Sequence, residues 1–201
     1  MDFNIYLIGD KNFFESEKKY LDVLNKCFDS GIKAFQLRQK DVGIREFIEL
    51  GEKIKKIIDK YKDVKLFVND RIDVASVLEA YGVHLNKNSI PIRAVKEKIK
   101  NIKVFYSSHS IEEIVMAQNE GADDVTFSPI FKTKNKDFEQ GVDLLKKAVN
   151  SVEIPVFALG GINKHNIDKI RNAGAKYIAI QSGILKEDNI YDVVKFLSKN
   201  L

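Results

Sequence analysis

Asn69, Asp70 and Arg71 set an amide, a carboxylate and a guanidinium directly after the apolar run Leu66–Val68. Three polar functions thus stand where a strand is expected to end. Other strand-like runs are followed in the same way, by Gln36-Leu37-Arg38-Gln39-Lys40, Ser107-Ser108-His109, the segment from Thr133 to Lys136, Gly160-Gly161 and Gln181-Ser182-Gly183. If those ends share one face, they make a basic, phosphate-sized site. Arg38 and Lys40 are two apart, so on extended chain their side chains point the same way. With Lys136 they supply three cations suited to a diphosphate, arginine as a fork and lysines as point charges. A solvated surface run is the competing reading, above all for Lys132 and Lys134. Asp70 is a candidate Mg²⁺ ligand, because magnesium takes one or two carboxylates, waters and substrate phosphate oxygens. An Asp70–Arg71 pair at a helix start competes with it. Asn69 either orients a substrate group or caps the following helix. The small residues of Gly160-Gly161 and Gln181-Ser182-Gly183 let backbone N–H groups approach an anion, with the next helix adding its positive end. Ordinary turns are the alternative.

His84, His109 and His165 show no metal-ligand spacing, and His109, close to Ser107, has the best claim to chemistry. No serine nucleophile elbow or CxxC pair is present. Tyr106, Phe127 and Phe131 either wall a heteroaromatic ring or pack the core.

Positioning these groups requires eight short apolar runs: Ile5–Ile8, Ala34–Leu37, Leu66–Val68, Val83–Leu85, Val104–Tyr106, Val125–Phe127, Val156–Leu159 and Tyr177–Ile180. Most lack alternation, as strands buried on both faces do. Between them, Glu17–Phe28, Ile44–Tyr61, Ile72–Tyr81, Ala94–Ile99, Ile111–Asn119, Val142–Val149, Ile167–Ala173 and Ile190–Leu197 carry helical spacing. Gly31, Gly82, Gly121 and Gly174 each close a helix-like stretch before a strand-like run, where left-handed backbone favours glycine. Asn163 and Ser110 read as N-caps, Ser110 with Glu113 forming a capping box. Strand–helix alternation over 201 residues predicts one (β/α)₈ TIM barrel spanning the chain. A doubly wound sheet is the alternative, but Ile8-Gly9-Asp10-Lys11-Asn12 lacks its glycine fingerprint.

Thirty-three basic and 29 acidic side chains leave a charge of +4, compatible with an anionic ligand and no argument for nucleic acid. The lone Cys27 shares an apolar period with Leu24 and Phe28, which suggests a buried thiol and a reducing compartment. No signal peptide or membrane-length apolar stretch is visible, so a cytoplasmic location and no membrane partner are expected. The oligomeric state stays open, a homo-oligomer included.

The ordered set Tyr6-Leu7-Ile8 with Asp10, Gln36-Leu37-Arg38-x-Lys40, Asn69-Asp70-Arg71, Gly82-Val83-His84-Leu85, Ser107-x-His109, Pro129-Ile130-Phe131-x-Thr133, Lys136, Gly160-Gly161-Ile162 and Ser182 resembles the thiamine phosphate synthase family and its relatives, the thiazole tautomerases. The resemblance covers nearly the whole chain. It implies a (β/α)₈ barrel in thiamine biosynthesis that joins hydroxymethylpyrimidine diphosphate to thiazole phosphate and releases diphosphate. It implies that Gln36, Arg38, Lys40, Asn69, Ser107 and Lys136 contact the pyrimidine diphosphate, with Arg38, Lys40 and Lys136 as the catalytic cations and Asp70 on Mg²⁺. Thr133, Asn135, Gly160, Gly161 and the Gln181-Ser182 turn would serve the thiazole phosphate.

Three departures accompany it. The family's second Mg²⁺ carboxylate position holds Ser89, within Asn86-Lys87-Asn88-Ser89, so a weakened Mg²⁺ dependence is expected. Ser128 replaces a glycine before Pro129, and Asn135 stands in a Thr-x-Thr-Lys pattern. The Ser89-Ile90-Pro91 stretch leans toward the tautomerases, which usually carry a histidine where Pro129 stands. A thiazole tautomerase using His109, or a non-catalytic binder of thiamine intermediates, therefore stays as an alternative.

Overall fold

The computed structural model describes residues 2–40, 42–133 and 138–201. Eight parallel strands close into a barrel in sequence order, with β1 pairing both β2 and β8. They are β1 (Ile5–Ile8), β2 (Ala34–Leu37), β3 (Lys65–Asn69), β4 (Gly82–Leu85), β5 (Lys103–Ser108), β6 (Asp124–Phe127), β7 (Val156–Leu159) and β8 (Tyr177–Ile180). The helices are α1 (Glu17–Asp29), α2 (Ile44–Ile58), α3 (Ile72–Val77), α4 (Ile92–Lys98), α5 (Ile111–Asn119), α6 (Gly141–Val149), α7 (Ile167–Asn172), α8 (Ser182–Leu185) and α9 (Ile190–Lys199). The expected (β/α)₈ barrel is therefore what forms. The short α8 and the 3₁₀ turn Lys11–Phe13 were not foreseen.

Both faces of each strand are buried, as the continuous apolar runs require. Outward residues such as Leu7, Phe35, Val68 and Val125 pack beneath the helices, while Tyr6, Ile8, Ala34, Phe67, Phe105, Phe157 and Ala179 fill the barrel itself. Aromatic rings dominate that inner column. Tyr6 stacks on Phe105 at 4.3 Å between centroids, and Phe67 and Phe157 meet Phe105 edge-on at 5.1 and 4.9 Å.

Two local expectations need correction. Gly82 does not end a helix; it opens β4, where a Cβ would come within 2.6 Å of the Lys103 carbonyl and the Phe67 ring. The inner phenyl ring, not a left-handed turn, demands glycine there. Gly31, Gly121 and Gly174 do have positive φ, at 104°, 94° and 86°. Asn163 does not cap α7; its Oδ1 accepts the His165 N–H at 2.8 Å in a tight turn, and Asn166 occupies the cap position. Ser110 is the cap of α5, its Oγ accepting the Glu113 N–H at 3.2 Å. Cys27 is buried, and burial pushes its thiol up to about 12.

Candidate active site

Side chains alternate in and out along a strand, so the inner column fixes which residues face the mouth at the C-terminal end. Gln36 follows Ala34 by two, Asn69 follows Phe67, Ser107 follows Phe105 and Gln181 follows Ala179. All four continue the inward set toward the end where barrel chemistry resides. Arg38 lies one further step along from Gln36 and is half-buried, whereas Lys40 is exposed.

The loops around this rim are tied to one another. Gln39 joins the first two, its Oε1 accepting the Lys11 N–H at 3.0 Å and its Nε2 donating to Asn12 at 3.1 Å. Ser89 donates its hydroxyl proton to Asp70 and so links the loops after β3 and β4. His109 Nδ1 lies 2.8 Å from the Ser128 carbonyl, linking those after β5 and β6. A Cβ on Gly160 would sit 2.7 Å from the Pro129 Cβ, and one on Gly161 would sit 2.8 Å from the Phe131 Cβ. Both glycines have positive φ, 104° and 68°. Gly183 lies against the Ile162 carbonyl, and Lys186 sits 4.5 Å over the Phe13 ring, returning the circuit to β1.

Gln36 is only 2% exposed. Its Nε2 donates to the Tyr6 hydroxyl at 3.1 Å and faces His84 Nδ1 at 2.5 Å. Its amide is thus engaged under the mouth. Burial, with the Arg38 charge adding to it, pulls His84 down to about 3, so the ring is neutral and accepts at Nδ1. His84 is structural. Burial also raises the Tyr6 hydroxyl well above its usual range.

Asp70 holds left-handed backbone, φ 63°, fixed by its N–H to the His84 carbonyl at 2.9 Å. Its side chain is exposed at the rim. Arg71 turns aside to a forked pair with Asp73, Nε–Oδ1 2.9 Å and Nη2–Oδ2 2.5 Å, so it adds no cation to the mouth. Ser107 and Thr133 are half-buried and Ser182 is exposed. The buried Nε2 of Gln181 has no hydrogen-bond partner among the described residues. No helix begins at Gly160-Gly161; α7 starts at Ile167, and the Gly161 carbonyl takes the Asn166 amide at 2.9 Å. The four-residue α8 does begin at Ser182. Asn135 and Lys136 lie outside the described residues. The stem of their loop is anchored, with the Gln140 N–H on the Pro129 carbonyl at 2.7 Å and the Gln140 amide on the His109 carbonyl at 2.6 Å.

Sequence reading did not anticipate the Tyr6–Gln36–His84 network, the Ser89–Asp70 contact or the second cavity. That cavity, about 650 Å³, opens at the opposite end of the barrel and is lined by Phe3, Lys65, Tyr81, Lys103 and Asp124 among others. A groove of about 290 Å³ beside Asp70 runs between α3 and α4 past Ile90 and Lys98.

With this geometry in place, comparison with known proteins is specific. Residues 5–184 match the family model described as thiamine monophosphate synthase. A thiamine-phosphate synthase of Fusobacterium nucleatum is 36% identical over 202 residues, covering 99% of this chain and 97% of that protein. One from Clostridium acetobutylicum is 34% identical, covering 98% and 94%. The solved thiamine phosphate pyrophosphorylase of Pyrococcus furiosus superposes with a TM-score of 0.87 at 31% identity, covering 98% of this chain and 94% of that one.

Proposed function

This chain belongs to the thiamine monophosphate synthase family, and from that premise we propose the reaction and the role of each residue. The protein is a transferase of thiamine biosynthesis. It couples hydroxymethylpyrimidine diphosphate with thiazole phosphate, giving thiamine phosphate and diphosphate. The observation that carries this reading is similarity to synthases over nearly the whole chain together with a rim on which Arg38, Lys40, Asn69, Asp70, Ser107, Gly160, Gly161 and Ser182 lie at or just past the C-terminal ends of parallel strands.

The C–O bond between the pyrimidine methylene and the diphosphate breaks, and its electron pair leaves on the diphosphate. The aminopyrimidine ring delocalises the resulting cation. The thiazole nitrogen lone pair then forms the C–N bond. No protein nucleophile enters, so the side chains act by position and charge. Arg38 and Lys40 neutralise the departing diphosphate, joined by Lys136 from its loop. Asn69 and Ser107, inward at the mouth, orient the pyrimidine. Thr133, Asn135, the Gly160-Gly161 backbone and the Gln181-Ser182 turn seat the thiazole phosphate. Mg²⁺ belongs to this proposal: Asp70 offers a hard, exposed carboxylate that suits it. The ion would offset the charge that develops on the diphosphate.

The tautomerase reading keeps one supporting observation. His109 Nδ1 points at a carbonyl, so that nitrogen carries the proton and Nε2 is left as a base. Purified protein given each substrate set separates the two. Thiamine phosphate formed only with both heterocycles supports the synthase, ring isomerisation without pyrimidine supports the tautomerase, and tight binding without turnover supports a binder.

A further inference from the structure

The proposed reaction uses only the C-terminal mouth, yet the larger of the two cavities lies at the other end of the barrel. Its volume of about 650 Å³ is within the range of small-molecule sites. That end of a TIM barrel ordinarily serves stability. Here the lining includes a group that works against it. Asp124 is 4% exposed, and its Oδ1 has no hydrogen-bond partner among the described residues, a condition that costs stability. The terminal torsion of a carboxyl group is broad, so rotation about Cβ–Cγ turns either oxygen toward the cavity that Asp124 lines.

The other charges of the lining are matched. Lys65 pairs with Asp2. Asp123 takes Lys96 and Lys103 at 2.8 Å each, and its Oδ2 also accepts the Val104 N–H at 2.8 Å. Among the described residues, Asp124 is left as the lining carboxylate without a cation. A buried carboxylate in that state is satisfied by a partner that brings positive charge and N–H donors. The walls favour the same charge. Lys65 Nζ lies 4.9 Å from the Tyr81 ring centroid and 5.6 Å from that of Phe3, so both rings already accept a cation. With Pro155 they also give the cavity an apolar wall.

We infer that the base of the barrel is a second ligand site, which takes a small organic cation of the amidinium type, N–H donors on a flat apolar body, with Asp124 as its counter-charge. The inference stands apart from the synthase reading, which places no group at this end.

Benzamidine is the probe, and benzamide is its neutral counterpart of the same shape. Titration calorimetry at pH 8 keeps Asp124 ionised, because burial raises its carboxyl only to about 7. Wild type should bind benzamidine with a Kd below about 1 mM and benzamide at least about tenfold more weakly. Asp124→Asn should lower benzamidine affinity by about thirtyfold or more, the effect of removing one member of a buried charge pair. Tyr81→Ala, which truncates a partly exposed ring, should lower it by about threefold to tenfold. Asp70→Asn, at the mouth, should leave it unchanged. Circular dichroism checks the fold of each variant. Wild type that fails to bind benzamidine, or binds benzamide equally well, overturns the inference. So does an affinity that survives Asp124→Asn, or one lost in Asp70→Asn, which would put the cation at the mouth. Should Asp124→Asn not fold, full affinity in Tyr81→Ala overturns it instead.

Discussion

Replacing Asp124 by asparagine should favour the folded protein more at alkaline pH than in acid. Asp124 opens β6 and pairs in register with Phe105, so it belongs to the inward set at the base of the barrel. It is 4% exposed, its Oδ1 has no hydrogen-bond partner among the described residues, and it lines the basal cavity. The neighbouring cations are committed elsewhere: Lys65 pairs with Asp2, and Lys103 reaches Asp123 at 2.8 Å. Burial, with the Asp123 charge adding to it, raises the Asp124 carboxyl from 3.8 to about 7. A rise of about three pH units corresponds to about 4 kcal/mol against the ionised form. The sign follows from proton counting. Below the unfolded value of 3.8, both states hold the proton and nothing is lost. Between there and about 7 the folded state keeps a proton that the unfolded chain has released, so stability falls as pH rises, then levels off. Between pH 5 and 8 this one group removes about 2–3 kcal/mol. An asparagine amide in the same place is also short of partners and costs about 1–3 kcal/mol at every pH. The diagnostic quantity is therefore the change with pH in the difference between the two proteins. Urea unfolding at pH 5, 6.5 and 8 should show the Asp124→Asn variant gaining about 2–3 kcal/mol on wild type across the series. A difference that stays flat over that range would refute the raised carboxyl.

Three further outcomes follow from the rim and the core. Arg38→Ala should lower kcat/KM for thiamine phosphate formation by about 10²–10³, the effect of removing one group from a charge-stabilising site; steady-state kinetics varying the pyrimidine diphosphate reads it. Gly161→Ala forces a Cβ onto a backbone with φ 68°, 3.0 Å from the Lys132 carbonyl, and should raise KM for the thiazole phosphate more than for the pyrimidine diphosphate, with a stability loss of about 1–2 kcal/mol. Cys27, with its thiol pushed up to about 12 by burial, should resist a thiol reagent in the native protein at pH 8 and react once urea unfolds it.

The barrel was legible because a parallel strand buried on both faces needs an unbroken apolar run, and Ile5–Ile8, Ala34–Leu37, Val156–Leu159 and Tyr177–Ile180 are largely such runs. Reading failed where a strand carries its polar residues at its own ends. β5 extends from Lys103 to Ser108, beyond the apolar Val104–Tyr106, because Lys103 sits at the barrel base and Ser107 at its mouth. Hydrophobicity sees a strand's middle; the barrel's two open ends take polar side chains, and that is where chemistry sits.

The same logic separates what could be read of the site from what could not. Arg38, Asp70 and the Gly160-Gly161 pair are visible because each stands one or two residues past an apolar run. Gln36 lies inside the Ala34–Leu37 run and reads as a substrate contact only through the family resemblance, and its amide is engaged by Tyr6, 30 positions away, and His84, 48 positions away. Strand order alone cannot show that three polar groups from β1, β2 and β4 will converge inside the barrel and satisfy one another. A buried amide left without those partners would cost about 1–3 kcal/mol, so the network holds the floor on which the mouth stands. The Ser89–Asp70 contact spans 19 positions and two loops in the same manner. In both cases the residue types announce chemistry at the rim, and it is the neighbour across the sheet that decides whether the group faces a substrate or another side chain.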